Sequence, residues 1–128
     1  MKNLLLIFII FFTQLVFSQT ETVKEIKTNF KANNLKEVSK YFNNSLKVRL
    51  LNEDGMYSRN QAESVLSNFM KKYPISDFQI IHQGESKEGG LHYAVCKYIS
   101  GTQSFRVYIL LKQNSGAYLV DTIDFSLE

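Results

Sequence analysis

His82 and His92 are the only histidines in the 128-residue chain, and their spacing is the first arrangement that could do chemistry. Both fall in segments of strand pattern on either side of Glu88-Gly89-Gly90. A hairpin pairing Gln83 with Leu91 would set the two imidazoles opposite one another on one face. Such a pair can act as a pH-sensitive surface couple or catch an adventitious metal. A zinc site wants three or four ligands, so no metal site is expected. Asp121 is the best acidic candidate, because it falls in phase with Leu119, Ile123 and Phe125 on the expected core face of its strand. Tyr41, Tyr57, Tyr73 and Tyr93 sit on apolar faces and are the candidates to line a pocket with it. An inward acid among phenols, shielded from water, would suit proton transfer of the lyase or isomerase type. The chain has no Gly-rich phosphate loop, no His-Glu-x-x-His run and no serine-nucleophile elbow. No cofactor is expected.

Cys96 is the only cysteine, which rules out an internal disulfide and a cysteine-based metal cluster. It reads as a small buried hydrophobe. The formal charge of +3 is far from the dense basic stripe that nucleic acid requires, so nucleic acid is not an expected partner.

The elements that must position these residues begin after an export leader. Met1-Lys2-Asn3 carries one positive charge, Leu4 to Phe12 is apolar, and Val16-Phe17-Ser18 precedes a polar Gln19. The apolar run is interrupted by Thr13-Gln14 and falls short of the roughly 20 residues that span a bilayer. Residues 1–18 therefore read as a signal peptide, leaving one domain over 19–128 that is periplasmic or secreted and holds no membrane anchor. From Glu21, Val23, Ile26 and Phe30 recur at helical spacing until Asn33-Asn34. Asn34 with Glu37 resembles a capping box for a second helix bearing Leu35, Val38 and Phe42. A strand over Ser45–Leu51 ends in Asn52-Glu53-Asp54-Gly55, where Asp-Gly would supply a left-handed turn position, and Met56-Tyr57 pairs back. Ser58 with Gln61 is a second capping box, opening a helix that runs to about Tyr73 and stops before Pro74. Four strands follow, over 75–83, 91–100, 104–112 and 117–125, joined by connections too short for helical crossovers. They form an antiparallel meander.

Alternation within the meander separates its two faces. Phe105, Val107, Ile109 and Leu111 point one way, toward a core beneath the helices. The other face of that strand carries Arg106, Tyr108, Leu110 and Lys112, and the next strand adds Tyr118 and Val120 by the same parity. A sheet with one wet face should be polar there. Tyr108, Leu110, Tyr118 and Val120 are therefore the candidate interface, most economically between two copies of the chain.

The segment Gly55-Met56-Tyr57-Ser58-Arg59-Asn60-Gln61-Ala62-Glu63, followed by Phe69, Pro74, Phe78 to Gly84 and Phe105 to Tyr108, resembles an exported family chiefly of Bacteroidota, domain of unknown function 4783. The resemblance implies an α+β fold of the nuclear transport factor 2-like, cystatin-like cone type: N-terminal helices and one long helix packed on a curved antiparallel sheet. Ketosteroid isomerase uses the same architecture. The resemblance brings no catalytic residues with it, and fold alone does not carry function. The expected function is that of an exported non-enzymatic domain binding a partner protein or a small apolar ligand, as a homodimer. The alternative is a small-molecule lyase or isomerase with an acid and base inside the cone.

Overall fold

The computed structural model describes residues 19–86 and 88–128, so the leader expected over 1–18 lies outside it. Two helices, α1 (Gln19–Lys31) and α2 (Leu35–Ser39), lead into the strands β1 (Phe42–Leu50) and β2 (Glu53–Ser58). The long helix α3 (Arg59–Lys72) follows. Then come β3 (Asp77–Glu85), β4 (Leu91–Ser100), β5 (Gln103–Asn114) and β6 (Ala117–Leu127).

Local chemistry accounts for most boundaries. Ser58 caps α3 in a closed capping box: its hydroxyl accepts from the Gln61 amide, and the Gln61 side chain accepts from the Ser58 amide. Pro74 follows the Tyr73 cap and keeps the chain from continuing as helix. The capping box expected at Asn34 does not form, since its side chain makes no cap bond. The first hairpin turns three residues earlier than Asp54-Gly55, at Leu51-Asn52, where Leu51 takes the left-handed conformation at φ 61°. Gly55 instead lies inside β2 opposite Val48.

The six strands form one sheet in the order β2-β1-β6-β5-β4-β3. The meander from β3 to β6 is antiparallel throughout, as is the β1–β2 hairpin. The sheet is nonetheless mixed, because β1 runs parallel to β6. Only the α3 crossover after β2 makes that pairing possible, as it carries the chain over to the far edge strand β3. Register shifts between Phe42 and Lys47, between Ile80 and His82, and opposite Leu110–Leu111 bend the sheet.

The core lies between the helices and the inner face. Phe105, Val107, Ile109 and Leu111 have no exposed surface, as their parity required. Phe69 of α3 packs against Tyr73, Tyr98, Phe105 and Phe125, with centroids 4.8–5.8 Å apart. Phe30 of α1 stacks on Phe78 at 4.8 Å and 6°. Tyr98 is fully buried, and its hydroxyl donates to the Tyr73 carbonyl. Desolvation pushes that phenol up to about 12. Cys96, paired with Ile80 and Val107, is buried, and its thiol is likewise raised to about 12 by burial, so it acts as packing rather than as a nucleophile.

The shift between β5 and β6 corrects two expectations. Leu110 pairs with Thr122 but Leu111 pairs with Val120, leaving Asp121 as the extra residue of a bulge. A one-residue insertion reverses the parity on its N-terminal side. Val120 is therefore wholly buried, joining Ile123 and Phe125 in the core, and is no interface residue. Tyr118 turns with it and packs against the core from the strand end. Asp121 leaves the core face.

Candidate interaction face

The outer face of β3, β4 and β5 carries an aromatic arrangement that begins at a glycine. Gly84 pairs with Tyr93, and a Cβ on Gly84 would stand only 2.6 Å from the end of the Tyr93 ring. The bare glycine lets that phenol lie across the edge strand. Its hydroxyl is thereby brought to 3.0 Å from His82 Nε2 on the same strand. On its other side Tyr93 stacks on Tyr108 of β5, with centroids 6.2 Å apart and planes 21° from parallel. Val95 pairs with both His82 and Tyr108, and Leu110 pairs with Tyr93. The result is a continuous His82–Tyr93–Tyr108 platform with Val95 and Leu110 beside its rings.

Charge surrounds this platform. Lys97 pairs with Arg106 across β4 and β5, and its ammonium lies 3.4 Å from the Glu128 carboxylate. On the opposite side Tyr108 pairs with Asp124, which pairs in turn with Arg49 of β1. Tyr108 retains 36% of its surface. A shallow hollow of 230 Å³ beside the platform is lined by Ile81, His82, Val95, Arg106 and Glu128 among others. A polar rim around an apolar and aromatic centre is the anatomy of a protein contact.

The histidines do not face each other. The hairpin closes with Glu85 opposite His92, and the irregularity after Ile80 sets His82 opposite Val95. His82 therefore joins the outer face, while His92 turns inward at 3% exposure. Its Nε2 lies 2.8 Å from the Gln83 amide oxygen, and its buried Nδ1 has no partner. Burial lowers the His92 pKa, against a smaller upward pull from Glu85.

The five pocket candidates are dispersed. Tyr41 is half-buried between α2 and β1, its phenol pKa raised by burial and then by Glu25 and Glu37. Tyr73 caps α3 with its ring 4.8 Å from that of Phe105. Tyr57 lies on β2 opposite Leu46, beside a surface groove with Asn60, Gln61, Ser64 and Val65. Tyr93 is on the outer face rather than the inner one, because His92, Ala94, Cys96 and Tyr98 take the buried parity of β4. Asp121 occupies the bulge. No two of them converge, and the space between α3 and the sheet is filled by rings. Among the described residues no group of three His, Cys, Asp or Glu side chains could hold a metal. Among the described residues these five side chains do not form one pocket.

Sequence reasoning missed the Tyr93 platform because β4 is apolar on both faces. The available signal was Gly84, a glycine inside a strand, which often marks a close approach of another group.

Helices on one face of a curved mixed sheet, wrapped around an aromatic core, define the nuclear transport factor 2-like class. A protein of that class and of unknown function from Burkholderia xenovorans matches with a TM-score of 0.65 at 11% identity, over 85% of this chain and 83% of that one. Within the class, the model of the domain of unknown function DUF4783 matches residues 23–126, and the chain belongs to that family. A DUF4783 protein from Bacteroides ovatus is similar with a TM-score of 0.75 and 22% identity, covering 81% of this chain and 93% of that one. Another from Bacteroides uniformis reaches a TM-score of 0.76 at 18% identity, covering 82% and 95%. No curated protein matches the chain. At such identities the likeness carries the fold and no chemistry.

Proposed function

We propose that this chain is an exported, non-enzymatic interaction module that pairs with a second copy of itself through the outer face of β4 and β5. The observation that supports this most is the Tyr93–Tyr108 stack, built on Gly84 and held by His82, on the side of the sheet away from the core. A domain whose interior is closed by Phe rings leaves recognition to its surface. A platform of Tyr and Leu inside a charged rim suits a contact that excludes water at its centre. A second copy is the simplest occupant, because a two-fold contact covers the same patch on both subunits at once. Export rests on the single lysine, the apolar run and the Val16-Phe17-Ser18 site of the leader.

Dilution tests the contact. Amide NMR spectra of the purified protein, recorded from micromolar to near-millimolar concentration, should show shifts concentrated at Tyr93, Val95, Tyr108 and Leu110. Spectra that move at none of these residues, or that move mainly around α2 and α3, would place the contact elsewhere and overturn the reading.

A further inference from the structure

On the other side of the sheet, β2 and the first turns of α3 enclose an open groove of 340 Å³ lined by Tyr57, Asn60, Gln61, Ser64 and Val65. Its floor is prepared in the same manner as the outer platform. Gly55 sits two residues before Tyr57 on β2, and a Cβ there would lie 3.1 Å from the ring edge and hydroxyl of Tyr57. The φ of Gly55 is not positive, so no turn demands glycine at this position. What the missing side chain supplies is a seat for the phenol.

The walls are neutral and can both donate and accept. Asn60 and Ser64 stand one helical turn apart on α3, so both reach the same side of the groove. The Gln61 carbonyl oxygen is occupied by the Ser58 amide in the capping box, which fixes the side chain and leaves its NH₂ donors available. The nearest cation in sequence, Arg59, is not among the lining residues. Its guanidinium is tied to the Phe42 carbonyl and to Asn44 Oδ1. An anion would find no charge to pair with, and a purely apolar ligand would leave two amides and a hydroxyl unused.

We propose that this groove binds a neutral, polyhydroxylated ring, the chemistry of a pyranose sugar. Tyr57 offers an apolar surface to the C–H side of such a ring, while Asn60, Gln61 and Ser64 meet its hydroxyl edge. The volume lies at the small end of the roughly 300–1,000 Å³ range of ligand sites, enough for one or two rings. An open groove with few contacts sets the affinity in the millimolar range. The site is independent of the self-association reading, since Tyr57 is on the inner side of β2 and the platform is on the outer side of β4 and β5.

Amide NMR titration of the purified protein with methyl β-glucopyranoside, methyl β-galactopyranoside, methyl α-mannopyranoside and N-acetylglucosamine tests it. At least one should shift Tyr57, Asn60, Ser64 and Val65 saturably, with cyclohexanol, indole and inorganic phosphate producing much smaller shifts. Tyr57→Ala should weaken binding about tenfold. Asn60→Ala, at an exposed position that leaves the fold intact, should weaken it a few-fold and serves if the other variant does not fold. Lys24→Ala, at an exposed position of α1, should bind as the wild type does. The proposal is overturned if no pyranose moves these amides, if cyclohexanol or indole moves them as strongly, or if removing the Tyr57 ring or the Asn60 amide leaves the titration unchanged.

Discussion

The two faces of β4 and β5 are built from alternate residues of the same strands and follow different rules. Inward, Ala94, Cys96 and Tyr98 lie against Phe105, Val107 and Ile109, all at 1% exposure or less. The helices supply the second layer, with Phe30 of α1 on Phe78 and Phe69 of α3 on Tyr98, Phe105 and Phe125. Outward, Tyr93 and Tyr108 stack in the open, with Val95 and Leu110 beside them and only Lys97 paired to Glu128 at the margin. The inner face is finished when the chain folds, and on the proposed reading the outer face is finished when a second copy covers it. The difference teaches that apolar content alone does not separate core from contact. What separates them is whether the chain supplies the second layer.

The comparison breaks most readily on the inner face. Phe105→Ala removes a ring that touches Phe69, Tyr73 and Tyr98, and should cost about 3–5 kcal/mol by urea denaturation, a large share of a small domain's stability. A cost within about 0.5 kcal/mol, the size of a surface effect, would reverse the assignment of the two faces.

A smaller effect, also from the inner face, is set by pH. His92 is buried mainly neutral, so its pKa lies below the unfolded value of about 6.5 while Glu85 pulls weakly upward. The unfolded chain then binds a proton that the folded chain resists. The stability this neutral imidazole permits is present above about pH 6.5 and is lost as pH falls from there toward the folded pKa. Urea midpoints followed downward from neutral pH should decline less steeply in His92→Gln than in the wild type. Parallel profiles would show that His92 is not the titrating group.

The smallest stability effect is expected on the outer face. Gly84→Ala drives the Tyr93 ring from its seat and separates its hydroxyl from His82, yet the ring can swing into solvent. The change should be below about 1 kcal/mol in stability, with self-association weakened several-fold. Loss of fold would mean that the ring is fixed from its far side as well.

The contrast between the faces also explains what could be read in advance. The long helix was legible to its cap, because Ser58, Gln61 and Pro74 act locally. The inner row of β5 was legible because period-two alternation survives any tertiary context. The bulge at Asp121 was not, since a single inserted residue leaves no local mark and depends on pairing with β5 and β1 together. That one residue sent Val120 inward and removed Asp121 from the core face. The register of the β3–β4 hairpin was hidden similarly, because several closures of Glu85–Leu91 are sterically open and the choice moved His82 and His92 to opposite faces. The parallel β1–β6 pair joins residues at least 75 positions apart, as Val48 with Ile123, beyond the reach of any local pattern.

Sedimentation of the wild-type protein beside Leu110→Glu tests the self-association claim most directly. Leu110 pairs with Tyr93 at the middle of the platform, and in a two-fold contact a carboxylate there would meet its own copy in a desolvated setting. The wild type should sediment as a dimer at high micromolar concentration and dissociate on dilution, and Leu110→Glu should remain a folded monomer with an unchanged far-ultraviolet spectrum. A wild type that remains monomeric at high concentration, or a Leu110→Glu variant that remains dimeric, would contradict the account.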